Sequence, residues 1–462
     1  MTLLLLISLA TFLLVGLSAG RSAGSREAFF VAERRGSSLA ITGSLVATVV
    51  GGSATIGVAG LAYVRGMTAA WWTLVGAIGL AVLGLVLVGR VRAHAGVYTL
   101  PGLAGRLFGP RVRIGTAIIV TLAWMGVVSG QIVAASRVLS VIGVGSPSAW
   151  MIVFTGVLVL YAIAGGQKAI IRTDLLQAVL ILAGVALAAV YMCATLGYTG
   201  AFSDGLPVGS LDFPVSSAFG WADLGSMLVL VGAVYLVGPD IYTRLLSARD
   251  TRTARKATLT AAVVVVPVAI TVAMLGMTAR YLSPDLLPEQ ALPWLVTHAL
   301  PPYAAALLLA GMVAALMSSA DSTLLGQAVI LADDVITRVY PLAEKHVVVL
   351  ARACVAVLGL LALLLALSFQ GVIASLMFAY SVFTSGVVGP MLLGLLRGRL
   401  RVDGAAALCG MCAGGVCGLA SALPWFDVPL KPHLALIGLG LSIVVTLVLS
   451  QLRRGNNSVD GP

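Results

Sequence analysis

Charge is scarce in this chain. Asp, Glu, Lys and Arg make up 10% of its 462 residues, whereas a soluble domain carries about 25%, so a soluble globular fold is excluded. Histidine and cysteine are few as well. His94, His298, His346 and His433 are scattered and assemble neither a ligand cluster nor a catalytic triad, and with no nucleophile and base at a suitable depth the sequence does not read as an enzyme. The five cysteines, Cys193, Cys354, Cys409, Cys412 and Cys417, all lie in apolar segments and read as small packing residues, not as a disulfide framework. Cys409 and Cys412 have metal-like spacing, but no second pair or nearby His completes a site. Residues 1–20 lack the basic start of a signal peptide, and their first Arg follows the apolar run; they read as a retained helix.

What the chain has in plenty is apolar sequence, 60% of residues, with a mean hydropathy of +1.08. This is the composition of a polytopic membrane protein. Thirteen windows long enough to span roughly 30 Å of hydrocarbon recur: 2–19, 38–59, 67–89, 114–141, 148–165, 170–195, 223–242, 256–279, 303–333, 347–368, 371–396, 404–423 and 433–452. The net charge of +11 could point to nucleic acid, but its placement says otherwise. Most of the 28 Lys and Arg fall on alternate loops, among them Arg34, Arg90, Arg113, Arg172, Arg244, Arg338 and Arg453, while the opposite loops hold only Arg65, Arg280 and Lys431. That asymmetry predicts an inner-membrane protein with its N-terminus outside and its C-terminus cytoplasmic, and explains the charge by topology without a nucleic-acid partner. The 53 glycines suit close helix approach and helix breaks.

Two spans are interrupted. The second contains Val50-Gly51-Gly52-Ser53, and the seventh ends Gly238-Pro239-Asp240, where Gly and Pro oppose continuous helical hydrogen bonding. Broken helices free carbonyls that need partners, and a cation is one. Five spans separate the two breaks. An interrupted helix opening each of two five-helix halves predicts an all-α inverted-repeat transporter with its site at the midplane. The expected division of this single transmembrane domain is 1–37 for an extra helix and inner loop, 38–195 and 223–398 for the repeats, and 399–462 for two peripheral helices and a short tail.

The polar centre of this scheme is Ala315-Leu316-Met317-Ser318-Ser319-Ala320-Asp321-Ser322 in the ninth span. Hydroxyls and a carboxylate are costly in hydrocarbon and should face an interface, water or a cation. Ala315, Ser318, Ser319 and Ser322 share one helical face. Two hydroxyls and a carbonyl from that face, opposed by freed carbonyls near Ala47 and Val50, would supply five neutral oxygens of the kind a hard cation such as Na⁺ accepts; back-bonding of the serines to their own helix is the alternative. Asp174 opens the sixth span and, with Asp321, could form a cation path or proton relay; a first-turn carboxylate near Arg172 is the simpler account of Asp174. Thr48, Gly51, Ser53 and Gln131, with the deep aromatics Tyr235 and Tyr380, are the candidate solute-binding residues, whereas Trp71 and Trp72 are expected to be interfacial belt residues. Arg137 is expected to snorkel to the outer surface or to attract an anionic solute.

Five motifs in order resemble the sodium:solute symporter family: Ser25-Arg26-Glu27-Ala28-Phe29-Phe30, Ala47-Thr48 to Ala62-Tyr63, Gly165-Gly166 to Asp174-x-x-Gln177, Gly238-Pro239-Asp240-Ile241-Tyr242-x-Arg244-Leu245-Leu246, and Met317-Ser318-Ser319-Ala320-Asp321-Ser322. They cover residues 25 to about 400. The resemblance implies a LeuT-like fold of thirteen transmembrane helices and alternating access driven by sodium. It places a sodium ion on the backbone oxygens of Ala47, Val50 and Ala315 and the hydroxyls of Ser318 and Ser319. It places a second sodium, or a proton, at Asp174, Ser318, Asp321 and Ser322. Val49 and Val127 stand where proline carriers have Asp and Tyr, which argues against proline. The run Gly130 to Arg137 is similar to pantothenate carriers and hints at a carboxylate. The expected function is therefore sodium-coupled symport of a small organic solute, with proton coupling as the alternative. A membrane solute sensor is an alternative of another class, for which the stretch Gly455 to Pro462 after Arg454 offers little room.

Overall fold

A computed structural model describes residues 25–457 of the protein, except 95, 141–142, 144, 199, 342–343, 369–370, 397–401 and 424–432. The first expected span, 2–19, lies outside the described residues. Among the described residues the regular structure is helical, with β pairing confined to two isolated bridges, Gly36 to Ala248 and Ser216 to Phe219. The helices used below are α1 (Arg26–Val31), α2 (Ser38–Val49), α3 (Val58–Arg65), α4 (Trp71–Val82), α5 (Leu100–Phe108), α6 (Pro110–Leu139), α7 (Pro147–Leu196), α8 (Val234–Val237), α9 (Pro239–Ser247), α10 (Thr251–Leu282), α11 (Pro302–Ile330), α12 (Glu344–Ser368), α13 (Val372–Phe383), α14 (Gly404–Ala422) and α15 (Leu434–Asn457).

The helix starts follow local chemistry. Ser25, Ser37, Thr99, Ser146, Asp250 and Asp403 each accept a first-turn backbone N–H in their side chains, meeting donors that a helix leaves orphaned. Proline opens α6, α7, α9 and α11, where its missing N–H costs nothing. Ten helical stretches among the described residues are long and apolar enough to cross a membrane, and Ser38–Val49 is a shorter apolar helix. α7 has 50 residues. A straight helix of that length would reach about 75 Å, more than twice the hydrocarbon thickness, and the chain turns within it at Gly166, where φ is +61°.

Burial ranks the helices. In the Val372–Leu395 stretch that begins with α13, and in the Pro302–Val339 stretch that contains α11, 78% of the most apolar window is inside the protein, against 33% for α14 and 28% for the α15 stretch. Thus α11 and α13 are central and the last two helices peripheral. α11 packs on α7, α6 and α2. The contact with α7 is close because a Cβ built on Gly311 would stand 2.8 Å from the Leu180 carbonyl oxygen, a small-residue crossing that lets helix backbones meet.

Both expected interruptions are present. α2 ends at Val50 (φ −88°, ψ 50°), and helical structure resumes at Ser53. The Gly238 backbone (φ −58°, ψ 130°) separates α8 from α9.

Candidate ion and solute site

Because α2 stops at Val50, its last carbonyls face α11. Ser319 Oγ donates to the Thr48 carbonyl at 2.9 Å and lies 3.5 Å from that of Ala47. The approach depends on Gly51, since a Cβ there would fall 2.9 Å from Ser319 Cβ. The break is held from its other side by Gln131 on α6, whose Oε1 accepts the Gly52 N–H at 2.9 Å. Ala47, Val50 and Ala315 are fully buried beside it.

Ser318 turns the other way. Its hydroxyl donates to Asp174 Oδ1 on α7. Ser44 of α2 also donates to Asp174, and Arg244 Nη2 of α9 lies 3.2 Å from Oδ2. Arg244 Nε in turn donates to Ser44 Oγ at 2.8 Å, and Arg244 Nη1 to the Asp240 carbonyl at 3.1 Å. Both charges of this pair are 0% exposed. Such a pair persists only when its hydrogen-bonding capacity is met, and here the hydroxyls of Ser44 and Ser318 meet it. Two expectations are thereby corrected. Asp174 is neither a first-turn residue nor partnered with Arg172, because α7 carries it into the protein interior. Arg244, expected among the basic loop residues, is drawn inside by that carboxylate.

Ser322 behaves differently again, donating to the Ser318 carbonyl of its own helix at 2.7 Å. Asp321 is fully buried, and neither of its carboxylate oxygens has a side-chain hydrogen-bond donor among the described residues. It lies within electrostatic reach of Asp174 and Arg244. The amides of Gln177 and Gln327 are also buried without hydrogen-bond partners among the described residues.

Thr48, Ser53, Gln131, Tyr235 and Tyr380 line one cavity of about 30 Å³, with Trp124, Asp240, Ser319 and Thr323 also in its wall. Gly51 borders it through its contact with Ser319 and Gln131. A space of this size holds a few waters at most, so a solute must find the wall opened. A second cavity of about 10 Å³ shares Trp124, Asp240 and Thr323 and continues past Ser322 to Gln327 and Ile330. Both cavities lie against α11.

Three cavity features were not legible in the sequence. Trp72 is 3% exposed and stacks on Tyr380 with centroids 6.1 Å apart, so it is a cavity-supporting residue and not part of an interfacial belt. Trp124 packs edge-on against Phe383. Asp240 lines the cavity, and its place at the first turn of a helix restarting after Gly238-Pro239 is the local signal for it. Arg137 does not line the cavity, and its Nε meets Glu289 at 3.1 Å; the other Glu289 oxygen accepts the Val372 N–H opening α13.

Two interrupted helices beside a small buried cavity in a bundle of apolar, membrane-length helices are the arrangement of a carrier. The sodium:solute symporter family model matches residues 29–414, and the chain belongs to that family. It is a sodium-coupled symporter of a small solute. The sodium/pantothenate symporter of Haemophilus influenzae is 24% identical over 339 residues, covering 69% of this chain and 68% of the relative. Sodium/glucose cotransporter 4 of Danio rerio is 26% identical and covers 92% of this chain and 74% of the relative. The solved substrate-bound outward-open state of a Na⁺-coupled sialic acid symporter superimposes with a TM-score of 0.80 at 17% identity, covering 98% of this chain and 97% of that one, so the fold is shared.

Proposed function

We propose that sodium is held between α2 and α11 by the carbonyl oxygens of Ala47, Val50 and Ala315 and the hydroxyls of Ser318 and Ser319. The observation that carries this is Ser319 reaching across the α2 break to the Thr48 and Ala47 carbonyls. An ion entering there displaces that hydrogen bond, and the Ser319 hydroxyl, keeping its proton, turns its oxygen to the ion as a fifth neutral ligand. Asp174, Asp321, Ser318 and Ser322 form a second cation path. Within it Asp174 is ion-paired with Arg244, while Asp321 has no ion pair among the described residues, which makes Asp321 the place for a further sodium or a proton.

The fold reading extends to thirteen spans with inverted repeats over 38–195 and 223–398, flanked by 1–37 and 399–462. It is supported by the equivalent breaks after Val49 and Val237, and by the turn at Gly166 that divides α7. The N-terminus lies outside and the C-terminus in the cytoplasm, as the loop charges require.

The solute binds among Thr48, Gly51, Ser53, Gln131, Tyr235 and Tyr380. Among the described residues no Lys or Arg lines this cavity, and Asp240 does. The solute therefore offers Asp240 a hydroxyl, amide or amine donor. A carboxylate-bearing solute is the second reading, favoured by the Gly130 to Arg137 run and the pantothenate relatives; its carboxylate would have to find backbone N–H groups at the breaks. A thermal-shift screen of sugars, amino acids and carboxylates on purified protein, with and without sodium, decides. Sodium-dependent stabilisation by one class identifies the solute. Equal stabilisation in sodium and choline would remove the coupled site.

A further inference from the structure

A cavity of about 570 Å³ opens between α1, the loop before α5, α5 itself, the start of α6 and the end of the stretch that continues α11. It shares no lining residue with the ion and solute cavity. Its wall carries Arg26, Arg106, Arg113 and Arg338, with Asp333 and Tyr98. The carboxylates here are already engaged. Asp333 meets Arg26 and Arg113, the latter at 2.9 Å; Asp334 meets Arg113 and accepts the Thr99 hydroxyl at 2.6 Å.

The arginines are not equally engaged. Arg106 and Arg338 have no ion pair among the described residues, and Arg26 Nε is buried without a partner. Arg106 reaches across the mouth, its Nη2 standing 3.8 Å from a Cβ built on Gly96. The wall is stiffened by Tyr98, whose ring lies under Arg26 at 5.4 Å and under Arg34 at 5.5 Å. Four guanidinium groups against two carboxylates leave two positive charges in excess around a space of small-molecule size.

We infer that this cavity binds a phosphate-bearing anion. Guanidinium forks match phosphate oxygens bidentately, and a phosphate carrying up to about two negative charges answers the excess. The inference is independent of the transport site. The anion has two available sources, a water-soluble phosphate compound or the headgroup of an anionic phospholipid on the side where the basic loops lie.

The full chain in phosphatidylcholine nanodiscs is unfolded thermally against increasing potassium pyrophosphate at a fixed sodium concentration, with potassium chloride at matched ionic strength as control. In a second arm the phosphatidylcholine is progressively replaced by phosphatidylglycerol up to equal parts. The same titrations are run on Arg106→Gln/Arg338→Gln, which leaves the Asp333 and Asp334 pairs intact. The site predicts a saturable rise in midpoint in at least one arm, and a half-saturation raised on the order of tenfold or more in the double variant. A rise with pyrophosphate alone assigns a soluble ligand, with phosphatidylglycerol alone a lipid headgroup, and with both the shared phosphate chemistry. No rise above the chloride control in either arm, or an undiminished response in the double variant, overturns the proposal. If the double variant melts early without ligand, the exposed single variant Arg106→Gln carries the comparison.

Discussion

Ser319 and Ser322 stand one turn apart on α11, and their hydroxyls have different partners. Ser319 serves the break in α2, whereas Ser322 is satisfied by its own helix. Ser319→Ala is therefore expected to raise the sodium concentration for half-maximal transport by roughly tenfold, the effect of one lost oxygen ligand. Ser322→Ala should leave it within about twofold. Sodium titrations of initial uptake rates check both, and equal effects would contradict the division of roles. The two buried acids divide in the same way. Asp174→Asn strands the Arg244 guanidinium in the core, and unpairing a buried charge costs about 3–5 kcal/mol, to be seen as a lowered unfolding midpoint in detergent. Asp321→Asn leaves no partner behind and should not lower that midpoint. The grouping of Ser318 and Ser319 was legible from helical spacing alone. Their separate partners were not, because Ser318 meets Asp174, distant in sequence, while Ser319 meets the carbonyls at the α2 break.

The elements were read best where the chain announces its own breaks. Val50-Gly51-Gly52 and Gly238-Pro239 signal interruption through backbone chemistry that needs no tertiary context, and both interruptions occur. Burial was less legible. Trp72 begins an apolar window and so resembles an interfacial anchor, but the chain approaching through Gly66-Met67-Thr68 packs it against Tyr380 instead. Helix starts carry their own test. Outside the membrane spans, Asp250 caps α10 by accepting the Thr253 N–H at 2.7 Å, and the hydrogen bonds from Thr253, with Arg249 beside it, hold its carboxyl below the usual range. A depressed folded value means that the stability it contributes is present above the unfolded value, about 3.9, and is lost as pH falls through the folded one. Asp250→Ala should melt earlier than the native chain at neutral pH, and the difference should close below about pH 4. A gap that stays constant to strong acid would show that the carboxylate is not the cap.

At the scale of the molecule, the α2 break and the small cavity meet at one residue. Ser319 belongs to both, so the proposed ion and solute sites share a boundary. A carrier couples its ligands only if binding one changes the affinity for the other, and the effect is reciprocal. The Arg137 and Glu289 pair ties α6 to the start of α13 through the Val372 N–H, while the Asp174 and Arg244 pair fastens α9 to α7. Neither pair was legible in the sequence, since each joins residues more than fifty positions apart. The family and the helical bundle were legible, because apolar windows and five ordered motifs are local properties. The central claim is tested most directly in proteoliposomes at fixed pH, with the solute found by thermal shift, under an inward gradient of either sodium or choline. The account predicts concentrative uptake that requires sodium and is lost in Ser319→Ala at low sodium. Uptake of equal rate and extent with choline would contradict it.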